Sequence, residues 1–274
     1  MAELKKVALM YDFDYTLSPA FMQNFMLKEF KVDTESFWKE CNDFGVKHNM
    51  DSVLAYMYKI IEFCKKENIK LTEKWLNNIG KKITLYEGVE GWFNRITEFG
   101  KTIGLDVEHY IISSGNKEIL DGTSIAKYFK RIYASSYAYD DNGIAFWPTQ
   151  AVNFTTKTQY IFRIKKNILD DLNEQKKINQ KMKPYVNYDH MLYFGDGFTD
   201  IPSMKVIKDK GGYSICVYDE KNLKAKETAE QILKDKRVNY IAPTNYTQNS
   251  QIDNLVKDIL KEIVIKDKLK SYKE

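Results

Sequence analysis

The pattern of apolar and polar positions divides the chain into short buried runs separated by helical stretches. Residues 5–11 form an apolar run that ends at two aspartates, Asp12 and Asp14, and the pattern predicts a core strand there. Residues 20–82 read as helical throughout. In "DSVLAYMYKIIEFCKK", Leu54, Met57, Tyr58, Ile61 and Cys64 recur at helical spacing, with Asp51 placed to cap the helix. In "LTEKWLNNIGKK", Thr72 stands at a cap position and Gly80 at a stop. A helix is predicted from about 89, then a second buried strand in "EHYIISSGN". Residues 116–129 read as helical. "RIYASSYAYDDNGIAFWP" reads as a hairpin turning at Asn142-Gly143. A helix is expected from about 155, with "KKNILDDLNEQKKINQKMK" extending it over the surface. "HMLYFGDGFTD" repeats the opening theme of an apolar strand ending in acid. Two more short strands, "GGYSICVYD" and "VNYIAP", flank the helix "KAKETAEQILKDK". The tail places Ile252, Leu255, Val256, Ile259, Leu260, Ile263 and Val264 on one stripe, as a docked helix would.

Strands alternating with helices imply an α/β fold, a doubly wound parallel sheet covered on both faces. The helical block after the first strand is too long for a simple crossover. It reads as an inserted α-helical cap over residues 18–84, with residues 1–17 and 85–274 forming the core.

The chain has 274 residues, of which 43% are hydrophobic and 29% charged, and its net charge is +4. This balance is that of a soluble chain. No apolar run approaches the length of a membrane span. "MAELKKVALMYDF" has neither the long apolar region nor the cleavage site of a signal peptide, so a cytoplasmic location is expected. Arg95, Arg131, Arg163 and Arg237 do not cluster, and lysines alternate with acids in "KDKLKSYKE". That spread speaks against nucleic acid as a partner. Cys41, Cys64 and Cys216 are too few and too scattered for a disulfide framework or a zinc site. They are expected to be reduced and buried. His48, His109 and His190 are equally dispersed and read as structural.

In a doubly wound sheet, ligands sit beyond the carboxyl ends of the strands. Three apolar runs end in polar groups: Asp12 and Asp14, Ser113 and Ser114, and Asp196 and Asp200. Neighbouring parallel strands would bring them into one crevice. Two like charges ~4 Å apart repel by about 4 kcal/mol at an effective dielectric of about 20, so four acids there call for a cation. Oxygen-only ligation favours a hard ion, magnesium first. One aspartate would then bind metal and attack while the other handles protons.

"DFDYT" is similar to the D-x-D-x-T signature of the haloacid dehalogenase superfamily, specifically its phosphatases. "YIIS" resembles the second motif at Ser113, Lys157 in "TTKTQYIF" the third, and "FGDGFTD" the fourth. The resemblance runs in order from residue 5 to about 218. It implies that Asp12 is the nucleophile, forming an aspartyl-phosphate, and that Asp14 is the general acid and base. It also implies magnesium held by Asp12, the backbone carbonyl of Asp14, and Asp196, with Asp200 supporting the site through water or the lysine. Ser113 and Lys157 would hold the phosphoryl oxygens, with Ser114 as a further phosphate contact. Lys117 is the alternative lysine, and Thr16 would support the loop. Gly115, Gly195 and Gly197 are expected to let the backbone turn tightly near the anion.

An acid at Asp14 distinguishes phosphatases of the superfamily from its dehalogenases. The inserted helices and the hairpin resemble the phosphoserine phosphatase-like branch. That branch carries an acid nine positions after the nucleophile to hold the substrate amine, and here that position is Phe21, within the apolar run of Phe21, Met22, Phe25 and Met26. The implied activity is a magnesium-dependent hydrolysis of a small phosphorylated metabolite. A phosphotransferase, or a binding protein that has lost turnover, stands as the alternative.

Overall fold

A computed structural model describes residues 4–169 and 175–272. Seven strands form one sheet in the order β4-β3-β2-β1-β5-β6-β7. β1 (Lys5–Tyr11) pairs in parallel with β2 (Leu105–Asn116) on one side and with β5 (Met191–Gly195) on the other. β3 (Phe129–Tyr139) extends the sheet in parallel beyond β2, and β4 (Ala145–Gln150) closes that edge as an antiparallel hairpin. β6 (Tyr213–Tyr218) and β7 (Tyr240–Pro243) complete the other edge, both parallel.

Alternation along β1 assigns the two faces. Val7, Leu9 and Tyr11 share a core with α5 (Val89–Thr102) and α10 (Gln251–Ser271). Ala8 and Met10 share one with α7 (Lys157–Lys166), α8 (Ile201–Asp209) and α9 (Leu223–Lys234). The helices thus cover both faces, as the alternating pattern predicts. Of the C-terminal stripe, Ile252, Val256, Ile259, Leu260 and Ile263 are buried, and Leu255 and Val264 lie against the same core. Among the described residues, no helix is long and apolar enough to cross a membrane. The three cysteines are free and buried.

The stretch after β1 is four helices, α1 (Met22–Glu29), α2 (Thr34–His48), α3 (Ser52–Lys66) and α4 (Glu73–Gly80). It is not helical throughout. Lys31, Asn49 and Asn68 take positive φ of 56°, 49° and 55° and break it into pieces. Asp51 caps α3 through Val53 N–H and Leu54 N–H, and Thr72 caps α4 through Trp75 N–H.

This helical insert is fastened to the rest of the chain at several points. Leu71 C=O accepts from Ala145 N–H at the hairpin (2.8 Å). Tyr56 OH donates to Ser114 C=O (2.8 Å), and Asn153 Nδ2 donates to Asp51 Oδ2 (2.9 Å). α4 meets α6 (Lys117–Asp121) backbone to backbone: a Cβ on Gly80 would stand 2.0 Å from Ile119 C=O, and one on Gly122 2.0 Å from Asn77 C=O. Apolar side chains of the insert and of the sheet form one continuous cluster.

Two helical expectations are corrected. Residues 116–129 hold only α6 and a 3₁₀ turn at Ala126–Tyr128, because the chain breaks at Gly122 to admit α4. The extension through 165–183 does not form. α7 ends at Lys166, where Asn167 turns left-handed (φ 56°), and a 3₁₀ turn follows at Gln175–Asn179; residues 170–174 lie outside the described residues.

Candidate active site

The chain winds outward from β1 to β2 and β3, then crosses back to β5 on the other side. The crevice therefore opens at the ends of β1 and β5. Asp12 follows β1 and donates its N–H to Phe194 C=O on β5 (2.8 Å). The loop then doubles back. The Phe13 carbonyl accepts from the N–H groups of Thr16, Leu17 and Ser18, and Tyr15 takes a positive φ of 57°. Tyr246 OH holds the loop at Thr16 C=O (2.8 Å).

Lys157 opens α7 from the opposite face, and its side chain is buried. Its Nζ donates to Asp12 Oδ1 and Asp200 Oδ1, both at 2.8 Å. Burial works against the ammonium, but the two carboxylates outweigh it and hold its pKa well above the ordinary lysine value. Burial also raises Asp12, to about 6, with Lys157 opposing and Asp200 adding to the rise. Asp196 is pushed well above the usual range by burial and then by the charges of Asp200 and Asp12.

Oxygens of Asp12, Asp196 and Asp200 lie within 4.8 Å of one another. Asp200 Oδ1 also accepts from Tyr193 OH (2.8 Å), whereas Asp200 Oδ2 is buried with no hydrogen-bond partner. A Cβ at position 195 would stand 2.5 Å from that oxygen, so Gly195 leaves the room it occupies. Three carboxylates that bring only oxygen donors together fit a hard divalent cation.

The Asp14 carboxylate is not among the three that converge. It turns to α1 and accepts from Met22 N–H (2.9 Å), filling the cap place that Phe21 leaves without a side-chain bond. Burial, then the Asp12 charge, push its pKa well above the ordinary carboxyl value.

On the other flank, β2 slips register against β3 between Ile112 and Asn116, which sets Ser113 and Ser114 in an irregular stretch beside Asp12. Ser113 Oγ accepts from Gly115 N–H (3.0 Å). Asp12, Asp14, Ser113, Ser114, Lys157 and Asp196 all line one cavity of about 590 Å³, with Asp200 directly behind it. Lys117 is not there, since its ammonium pairs with Asp121.

The glycines work differently from the expectation. Gly115, Gly195 and Gly197 do not have positive φ. A Cβ on Gly115 would meet the Met22 thioether at 2.1 Å, so that glycine leaves room for this side chain, while Gly197 faces open space. Sequence reasoning missed Tyr193 and the Met22 N–H. Tyr193 carried a signal, because a tyrosine inside a fully buried strand needs a partner for its hydroxyl.

No family model matches the chain. Among curated proteins it is similar to an uncharacterised protein of Borreliella burgdorferi, 26% identical over 279 residues, 91% of this chain and 95% of that protein. Among solved structures it resembles a HAD family hydrolase of Salmonella enterica serovar Typhi (TM-score 0.59, 15% identity, 93% of this chain and 72% of that one). It also resembles a phosphoserine phosphatase in its apo form (TM-score 0.53, 17% identity, 86% of this chain and 93% of that one). The fold is that of the haloacid dehalogenase hydrolases.

Proposed function

We propose that the protein hydrolyses a small phosphomonoester with magnesium, through an aspartyl-phosphate on Asp12. The observation that carries this reading is the unequal treatment of two aspartates on one loop. Asp12 is engaged by a buried lysine, and Asp14 is turned away from that lysine onto a backbone N–H with its pKa raised. One is kept as a charged nucleophile and the other as an acid.

Magnesium would be held by Asp12, Asp196 and the backbone carbonyl of Asp14, with Asp200 behind, and would supply positive charge opposite the phosphoryl oxygens. An Asp12 carboxylate oxygen forms the bond to phosphorus as the ester P–O bond breaks. Asp14 gives its proton to the departing alkoxide. The Asp14 carboxylate then takes a proton from water, the water oxygen attacks phosphorus, and Asp12 is released with inorganic phosphate. Lys157 Nζ and Ser113 Oγ face the oxygens on which charge grows, and Ser114 lines the same wall. Phe21 offers no countercharge for an ammonium, so the reading does not extend to phosphoserine.

The test is phosphate release from a panel of phosphomonoesters, with and without magnesium. Release that requires magnesium and falls at least about 10³-fold in Asp12→Asn, with the fold intact, is the expected outcome. Release that persists in Asp12→Asn overturns the assignment.

A further inference from the structure

The cavity is larger than a phosphate and a short alcohol require. From Asp12 it runs past the ends of β5 and β6 to the first turn of α9, where Asp219 and Lys224 line its far end. Between the two polar ends the walls carry the rings of Tyr15, Phe21, Tyr86, Phe198 and Tyr218, from separate stretches of the chain. Phe21 and Phe198 are 41% and 66% exposed. Large apolar rings gathered along one cleft mark a binding surface, where scattered ones would not. Phe21 is held in place edge-on to Tyr15 (centroids 4.9 Å apart) and 5.5 Å from Trp38.

A second chamber of about 150 Å³ lies on the helical-insert side of Phe21, lined by Gln23, Trp38, Cys41 and Tyr56. The bond from Tyr56 OH to Ser114 C=O ties two of its walls together. Of the two chambers that meet at Phe21, the larger cleft is the one with room for a bulky leaving group.

We propose that the substrate is the phosphate ester of an alcohol carrying a planar ring, about the size of a nucleoside, with the ring against Phe21 and Phe198. This rests on the phosphomonoester reading above. Aromatic rings bury planar partners by stacking or edge contacts at little cost in side-chain freedom. The charged pair at the far end would meet polar groups on the ring's outer edge.

The test separates the two readings. Binding is measured by calorimetry to Asp12→Asn protein with magnesium, so that no turnover intrudes. The probes are the four common nucleoside 5′-monophosphates and ribose 5-phosphate, which shares their ester and sugar and lacks the ring. We expect at least one nucleotide to bind tenfold or more tightly than ribose 5-phosphate. Phe198→Ala on the same background should bring that ratio below threefold. A preference under tenfold for all four nucleotides, or one that survives Phe198→Ala, overturns the ring site. Turnover by the unaltered protein is read separately. Ring preference without magnesium-dependent release keeps the ring site and removes the hydrolase; release without ring preference does the reverse.

Discussion

Asp200 and Asp253 are both fully shut off from solvent, and both sit where a helix begins, yet the chain treats them in opposite ways. Asp253 is satisfied at both oxygens. Oδ1 accepts from Arg95 Nε (2.9 Å), and Oδ2 accepts from Lys257 Nζ (2.7 Å) and Asn249 N–H (2.9 Å). Burial alone would raise its pKa, but these donors outweigh it and the net shift is downward. Asp200 has Lys157 and Tyr193 on one oxygen and nothing on the other. A carboxylate that only has to hold a fold is surrounded by donors. Asp200, which the proposed function places behind a metal, is left an oxygen short.

Exchanging each acid for its amide sharpens this contrast. Asp200→Asn should lower magnesium-supported turnover by about 10²-fold, the scale on which groups supporting a metal site act. Without metal the amide also removes one of the two carboxylates that face the buried Lys157 ammonium, while relieving repulsion from Asp12 and Asp196, so its unfolding free energy should fall by less than the roughly 3–5 kcal/mol of an uncompensated buried pair. Magnesium at about 100 times its dissociation constant should stabilise the unaltered protein by about 2.7 kcal/mol and the variant much less, read by thermal unfolding. A variant that still gains the full increment would break the comparison. Asp253→Asn should do the reverse, costing about 2–3 kcal/mol in urea unfolding with kcat unchanged. The cost falls below that of a wholly buried pair because Arg95 and Lys257 reach solvent.

His109 provides an intermediate case, a buried group that is satisfied while neutral. Trp92 Nε1 donates to Tyr11 OH (2.9 Å), Tyr11 OH meets His109 Nδ1 (3.1 Å), and Nε2 meets Thr97 Oγ1 (3.0 Å). Burial lowers its pKa from 6.5 to about 4. The unfolded chain therefore takes up the proton first as pH falls. The stability His109 contributes is complete above pH 6.5 and drains away toward pH 4, by about 3 kcal/mol. His109→Gln should flatten this part of the stability profile, and an equally steep profile in the variant would remove His109 as its cause. At the small end, Lys117→Ala should leave turnover unchanged and stability within about 0.5 kcal/mol, since its pair with Asp121 is at the surface.

Much of this arrangement is legible along the chain. A strand buried on both faces must be apolar throughout, so an acid at its end announces both the strand's limit and a polar crevice; β1 with Asp12 and β5 with Asp196 read directly. The caps at Asp51 and Thr72 are local and read equally well. Asn49 and Asn68 are of a residue type at home in a left-handed turn, a local mark of the breaks they make, whereas Lys31 bears none. What escapes is contact between distant stretches. Nothing near Gly115 predicts that Met22 lies against it, and nothing near Gly195 predicts that Asp200 Oδ2 fills the space of its missing side chain. Asp14 reads as an acid, but its partner on α1 depends on how the insert docks.

The backbone contact between Gly80 and Gly122 also bears on how the molecule comes apart. α1–α4 share their apolar cluster with the sheet and have no separate one of their own. A segment that cannot bury its own apolar surface cannot melt or form by itself. Unfolding should therefore be one cooperative event across helical insert and sheet, and the 18–84 stretch expressed alone should remain an unstructured peptide.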